Sequence, residues 1–124
     1  MTANQITAEL LIRIPERFPN IRVWRNNRVD AMAIGKGGKP RRIQAGIDGQ
    51  ADISGIIGPW GVRLEIEVKA GKDRLRESQL SFAEMIMKHG GAWCVCEDVE
   101  TTLNFLAFNW SDTASGRTWE PRKI

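Results

Sequence analysis

DGQADISGIIGPWGVRLEIEVKAGK, residues Asp48 to Lys72, holds two apolar runs joined by a Gly/Pro turn. Val62, Leu64, Ile66 and Val68 alternate with Arg63, Glu65, Glu67 and Lys69, the period of two that a strand imposes. Asp52–Ile57 reads as the preceding strand, and Gly58-Pro59-Trp60-Gly61 as the turn between them. A tight turn makes the two strands an antiparallel pair, and that pairing stands Asp52 beside Glu67. The apolar row marks the Val62–Lys69 strand as central, and central strands seldom carry three charges idly. Gly49, just upstream, allows a close backbone approach.

Two carboxylates set side by side repel, and a divalent cation relieves the repulsion. Oxygen ligands with open water positions suit Mg²⁺ or Mn²⁺. Such a centre suits phosphodiester hydrolysis, with Lys69 orienting or deprotonating the attacking water or steadying the phosphate. The Val68 backbone carbonyl is a further candidate ligand. The plain alternative is a solvated face whose Glu and Lys side chains make weak ion pairs.

Outward from this stretch, Arg76–His89 reads as a helix with Phe82, Ala83, Ile86 and Met87 on its apolar stripe, stopped by Gly90-Gly91. Gln79 falls on the core-facing side of that helix. A buried amide needs partners, which a charged site beneath it offers, although a helix-edge residue bonded to backbone fits the pattern as well. Ala92–Cys96 is the next strand, and a last helix begins at Asp98. Upstream, Ile6–Phe18 has helical spacing, with Pro15 kinking or ending it. Ile21–Trp24 alternates like a half-buried strand, Asn26-Asn27 is a turn pair, and Val29–Ile34 returns as a further strand. GKGGKPRR, from Gly35, reads as a flexible basic loop. The core order is α-β-β-β-α-β-α, an α/β arrangement with a central mixed sheet containing one parallel crossover.

The chain has 124 residues, 42% apolar, with a net charge of +3. That suits a domain over residues 1–110 with a tail, 111–124, that lacks periodicity and is loose or packed on a partner subunit. No apolar run reaches membrane-span length and no signal-peptide pattern opens the chain, so a soluble, cytoplasmic protein is expected. Cys94 and Cys96, one residue apart, lie on one face of a strand rather than in a disulfide framework. With His89 as the sole histidine they fall short of a zinc set. The basic residues cluster: Arg22, Arg25, Arg28, Lys36, Lys39, Arg41 and Arg42 stand against Asp30 alone, a candidate surface for phosphates.

Gly49-Gln50-Ala51-Asp52, Ile66-Glu67-Val68-Lys69-Ala70-Gly71 and Leu75 through Gln79 together resemble the VRR-NUC branch of the PD-(D/E)xK nucleases. The likeness runs from the Glu9 helix to the Cys96 strand. It implies a restriction-endonuclease-like core, with Asp52 and Glu67 as metal-binding carboxylates and Lys69 as the catalytic lysine. Gln79 is then the helix glutamine that supports the site, and Glu9 an acid on the first helix that can join the metal. Ala51 replaces the usual proline, Glu65 adds an acid where the pattern is apolar or neutral, and no Val-Arg-Arg is present. Stand-alone members are bacterial or phage-encoded homodimers resembling Holliday-junction resolvases. A C2 dimer also matches the two-fold symmetry of a four-way junction.

The expected activity is therefore a Mg²⁺- or Mn²⁺-dependent, structure-specific DNA endonuclease acting on branched DNA, with the basic segment gripping the backbone. A nuclease for flap, nicked or duplex DNA, or a non-catalytic DNA-binding module, are the alternatives. GKGGKP lacks the spacing of a nucleotide-binding loop. Of the five tryptophans, Trp24 and Trp93 are expected in the core. Trp60 is expected exposed in a turn beside the site, where it could touch DNA.

Overall fold

The computed structural model describes residues 1–26, 31–34, 36–38, 40–43 and 47–110. Helix α1 spans Ala3–Arg17. The Thr2 hydroxyl accepts the Gln5 N–H at 3.2 Å while the Gln5 side chain accepts the Thr2 N–H at 2.8 Å, a reciprocal cap. That cap starts the helix in polar residues ahead of the apolar spacing, which is why the sequence pattern places its start later. The helix continues past Pro15 and stops at Arg17.

Strand β1 spans Ile21–Arg25, β2 Ala31–Ile34 and β3 Pro40–Ile43. The basic stretch expected as a loop thus contains a strand. Lys36–Gly38 form a short 3-10 turn in which Gly37 and Gly38 have φ of 77° and 74°, so the chain reverses and β3 pairs antiparallel with β2. Proline opens β3, a position where its missing N–H is tolerated. Strand β4 spans Ile53–Ile57, β5 Val62–Val68, helix α2 Glu77–Lys88, β6 Ala92–Cys96 and α3 Val99–Trp110. Asn27, the strand expected to begin at Val29, and the 111–124 tail lie wholly or partly outside the described residues.

The main sheet has the order β1-β4-β5-β6; β1–β4 and β4–β5 are antiparallel and β5–β6 is parallel, while β2–β3 form a separate sheet. The protein is therefore α/β, with a four-stranded mixed sheet flanked by helices. Leu64, Ile66 and Val68 of β5 join Ile53, Ile57 and Cys96 in one core, sealed by Ile6, Leu10 and Ile14 of α1 and Val99, Leu103 and Leu106 of α3. Cys94 and Cys96 are free thiols on this face, and burial pushes the Cys94 thiol up to about 12. No helix among the described residues is long and apolar enough to cross a membrane.

Candidate functional site

Alternation along β5 sends Arg63, Glu65 and Glu67 to the face opposite that core. The register sets Ser54 opposite Glu65 and Ile53 opposite Ile66, so one further step along β4 brings Asp52 level with Glu67. Asp52 is fastened there by its Oδ2, which accepts the Val68 N–H at 2.8 Å. Val68, whose carbonyl is the candidate ligand, also contributes its N–H.

Helix α2 closes over this end of the face. Gln79 is 3% exposed. Its Oε1 accepts the Arg76 N–H at 2.9 Å and its Nε2 donates to Glu67 Oε1 at 3.0 Å. The same amide therefore caps the helix and reaches the acid, so the two readings of Gln79 describe one side chain. Gly49 explains how the helix comes so near. Its φ is 78°, and a Cβ there would overlap the Ser78 carbonyl, so only glycine lets the segment before Asp52 pass against the first turn of α2.

Glu67 is 3% exposed. Its Oε1 takes the Gln79 hydrogen bond and lies 3.9 Å from Lys69 Nζ, while its buried Oε2 has no hydrogen-bond partner. Burial first, and the neighbouring Asp52 carboxylate second, raise its pKa to about 8, against a smaller opposing pull from Lys69. Lys69 is itself nearly buried, and its N–H donates to the Cys96 carbonyl at 2.9 Å, tying the end of β5 to β6. A buried carboxylate oxygen without a hydrogen-bond partner, beside a second carboxylate, is a donor set that fits a hard divalent cation.

Glu9 stands on α1. It lines a cavity of about 440 Å³ with Arg13, Ala70, Gly71, Asp98 and Glu100. Among the described residues no group of three or more His, Cys, Asp or Glu side chains stands together.

The basic residues divide. Arg22 is exposed on the Glu67 face of β1, whereas Arg25, three residues on, donates to the Asn4 side chain at 2.8 Å on the α1 side. Arg41 and Arg42 lie on β3, and Lys36 opens the 3-10 turn. Arg28 and Lys39 fall outside the described residues.

Two tryptophan expectations change. Trp24 is 41% exposed, because β1 is the sheet edge and its Trp24 face is not the one α1 covers. Trp60 is half-buried against the core and 6.4 Å from the Trp110 ring, in the turn at the far end of the β4–β5 hairpin from Asp52. Trp93 is half-buried.

A polar cluster escapes sequence reading. Glu65 is 0% exposed. Its Oε1 accepts Arg63 Nε at 2.7 Å and the Ser54 hydroxyl faces both its oxygens, at 2.9 and 2.8 Å. Asn26 Nδ2 donates to Ser54 Oγ and to the Ala51 carbonyl, and the Asn26 N–H donates to the Asp52 carbonyl at 2.9 Å. The signal was present in the hairpin register, which sets Ser54 against Glu65, but Asn26 comes from a distant segment. Compared with protein-family models and with curated proteins, the chain matches none.

Proposed function

We propose that the chain is a Mg²⁺- or Mn²⁺-dependent structure-specific DNA endonuclease of the VRR-NUC type, with a restriction-endonuclease-like core, acting on branched DNA such as four-way junctions. The observation that carries this reading is the buried Glu67 Oε2, left without a partner beside Asp52 and Lys69. Asp52 and Glu67 would hold the ion, which when bound binds a phosphate oxygen, acidifies water and offsets charge in the transition state. The chain's own residues do the rest. The Val68 N–H and Gln79 hold the two carboxylates at fixed angles, so little reorganisation is needed at the moment of reaction. Lys69 adds positive charge at the same place, where it steadies the phosphate or orients the attacking water. α2 excludes solvent from one side. A C2 homodimer would supply two such centres for paired cuts.

Cleavage of a labelled four-way junction, beside matched duplex, flap and single-stranded DNA, tests this in Mg²⁺, Mn²⁺ or EDTA. Paired symmetric cuts in the junction, abolished by EDTA and by Lys69→Ala, are expected. Cutting of the other substrates alone would reject the junction while keeping the centre. DNA binding without cutting in any metal would reject catalysis.

A further inference from the structure

We propose that Trp24 and Arg63 form a second binding site, a platform for an unstacked nucleobase and its phosphate, on the same sheet face as the Asp52–Glu67 centre. This rests on the nuclease reading and names the substrate feature that reading leaves open: single-stranded or unpaired nucleotides next to the scissile bond.

The platform is built rather than incidental. Arg63 lies over the Trp24 ring, its guanidinium carbon 5.5 Å from the centroid. The side chain is 49% exposed, yet its Nε is tied at 2.7 Å to a glutamate that solvent does not reach. A buried carboxylate is costly unless it is paired and hydrogen-bonded. Glu65 is paired by Arg63 and Ser54, and the result is an arginine fixed in direction at the surface. Arg63's two terminal amino groups have no partner among the described residues. A guanidinium fork held beside an indole suits a nucleotide: the fork meets the phosphate, and the indole or the guanidinium plane meets the base. Arg22 and Ile56 flank it, both exposed, and the register sets Arg22, Ile56 and Arg63 in one row across β1, β4 and β5. Positive charge and an apolar surface thus meet in one place, and an acidic or purely apolar partner would match only half of it.

Position relates the two sites. Trp24, Ser54 and Glu65 form the next row, and Asp52 and Glu67 the row after. Strand spacing and rise put Trp24 about 12 Å from Glu67, three to four nucleotides along a stacked strand of ~3.4 Å spacing. A base seated on Trp24 would therefore belong to the same strand segment as a phosphate at the centre. Fully paired duplex cannot offer such a base without unstacking it, whereas branch points, flaps and single strands can.

Binding measured in EDTA separates this from the chemistry. The probe is a short oligonucleotide carrying 2-aminopurine, single-stranded or annealed to its complement, titrated with wild type, Trp24→Ala, Trp24→Phe and Arg63→Gln. Wild type is expected to bind the single strand more tightly than the duplex and to quench the probe. Trp24→Ala should weaken single-strand binding by roughly 5- to 150-fold, the range for loss of one base–aromatic stack. Trp24→Phe should restore most of it, and Arg63→Gln should flatten the salt dependence by about one unit of slope. Single-strand binding unchanged in Trp24→Ala, with metal-dependent cutting still lost in Asp52→Asn, would overturn the platform and leave the nuclease standing. Stacking without cutting in any metal would do the reverse. A loss in Trp24→Ala that phenylalanine does not restore would also overturn the platform.

Discussion

Glu65 and Glu67 stand two residues apart on one face of one strand, and both are buried, but they are solved differently. Glu65 has its acceptors filled: Arg63 and Ser54 satisfy both oxygens. Glu67 shares one oxygen between Gln79 and a distant Lys69 ammonium, and its other oxygen is orphaned beside Asp52. A carboxylate kept for structure is closed by its neighbours. One with an opening is free for the chemistry proposed above, and burial together with the neighbouring Asp52 carboxylate raises its pKa to about 8.

The largest expected effects lie on the open side. Lys69→Ala should slow DNA cleavage on the order of 10²-fold or more, the scale of losing one preorganised charge-stabilising group, with Asp52→Asn losing at least as much. Substrate binding in EDTA should change little. A Lys69→Ala enzyme cutting at the wild-type rate would erase the distinction between the two glutamates.

On the closed side the effect should be on folding. Glu65→Ala removes both partners' acceptor, leaves the Ser54 hydroxyl buried and opens a cavity. It should cost about 2–3 kcal/mol in urea unfolding at pH 7, at the low end for a broken buried pair because Arg63 can turn to water. Stability equal to wild type would mean that the cluster is not what holds Arg63.

The two should also differ in pH response. The folded state raises Glu67 from 4.5 to about 8, through burial first and Asp52 second. Between those values the folded chain holds a proton that the unfolded chain has released. The contribution is therefore fully present below about pH 4.5 and is lost as pH rises through 8, by about 2–4 kcal/mol. Metal-free wild type should lose melting temperature from pH 5 to pH 8. Glu67→Gln should remove that slope, and Glu65→Gln should keep it. The smallest effect is expected for Gln79→Ala, roughly 1 kcal/mol for its hydrogen bonds by the same unfolding assay, with Glu67 titrating higher still because a donor to its charged form is gone.

The open side was the more legible of the two in sequence. Asp52, Glu67, Lys69 and Gln79 sit at spacings that strand and helix periods convert directly into a shared face, and the Gly58–Gly61 turn fixes the β4–β5 register. The closed side depends on Asn26, whose partners are 25 and 28 residues away, and no local pattern reports that. Trp24 was misread because alternation tells which residues share a face, not whether an element covers that face at the sheet edge. The β3 strand was missed because Gly, Lys, Pro and Arg argue for a loop, while pairing with β2 overrides their propensities.

The most direct measurement is calorimetric titration of Mn²⁺ into wild type, Glu67→Gln and Glu65→Gln at pH 7, in buffers of different ionisation heat. Saturable binding accompanied by proton release is predicted, because burial and Asp52 favour the protonated form of Glu67 and a cation at the orphaned oxygen competes with that proton. Glu67→Gln should lose both the binding and the proton release, and Glu65→Gln should keep both. Absence of saturable binding in wild type, or binding that Glu67→Gln leaves intact, would contradict the assignment of Glu67 as the open carboxylate of a metal centre.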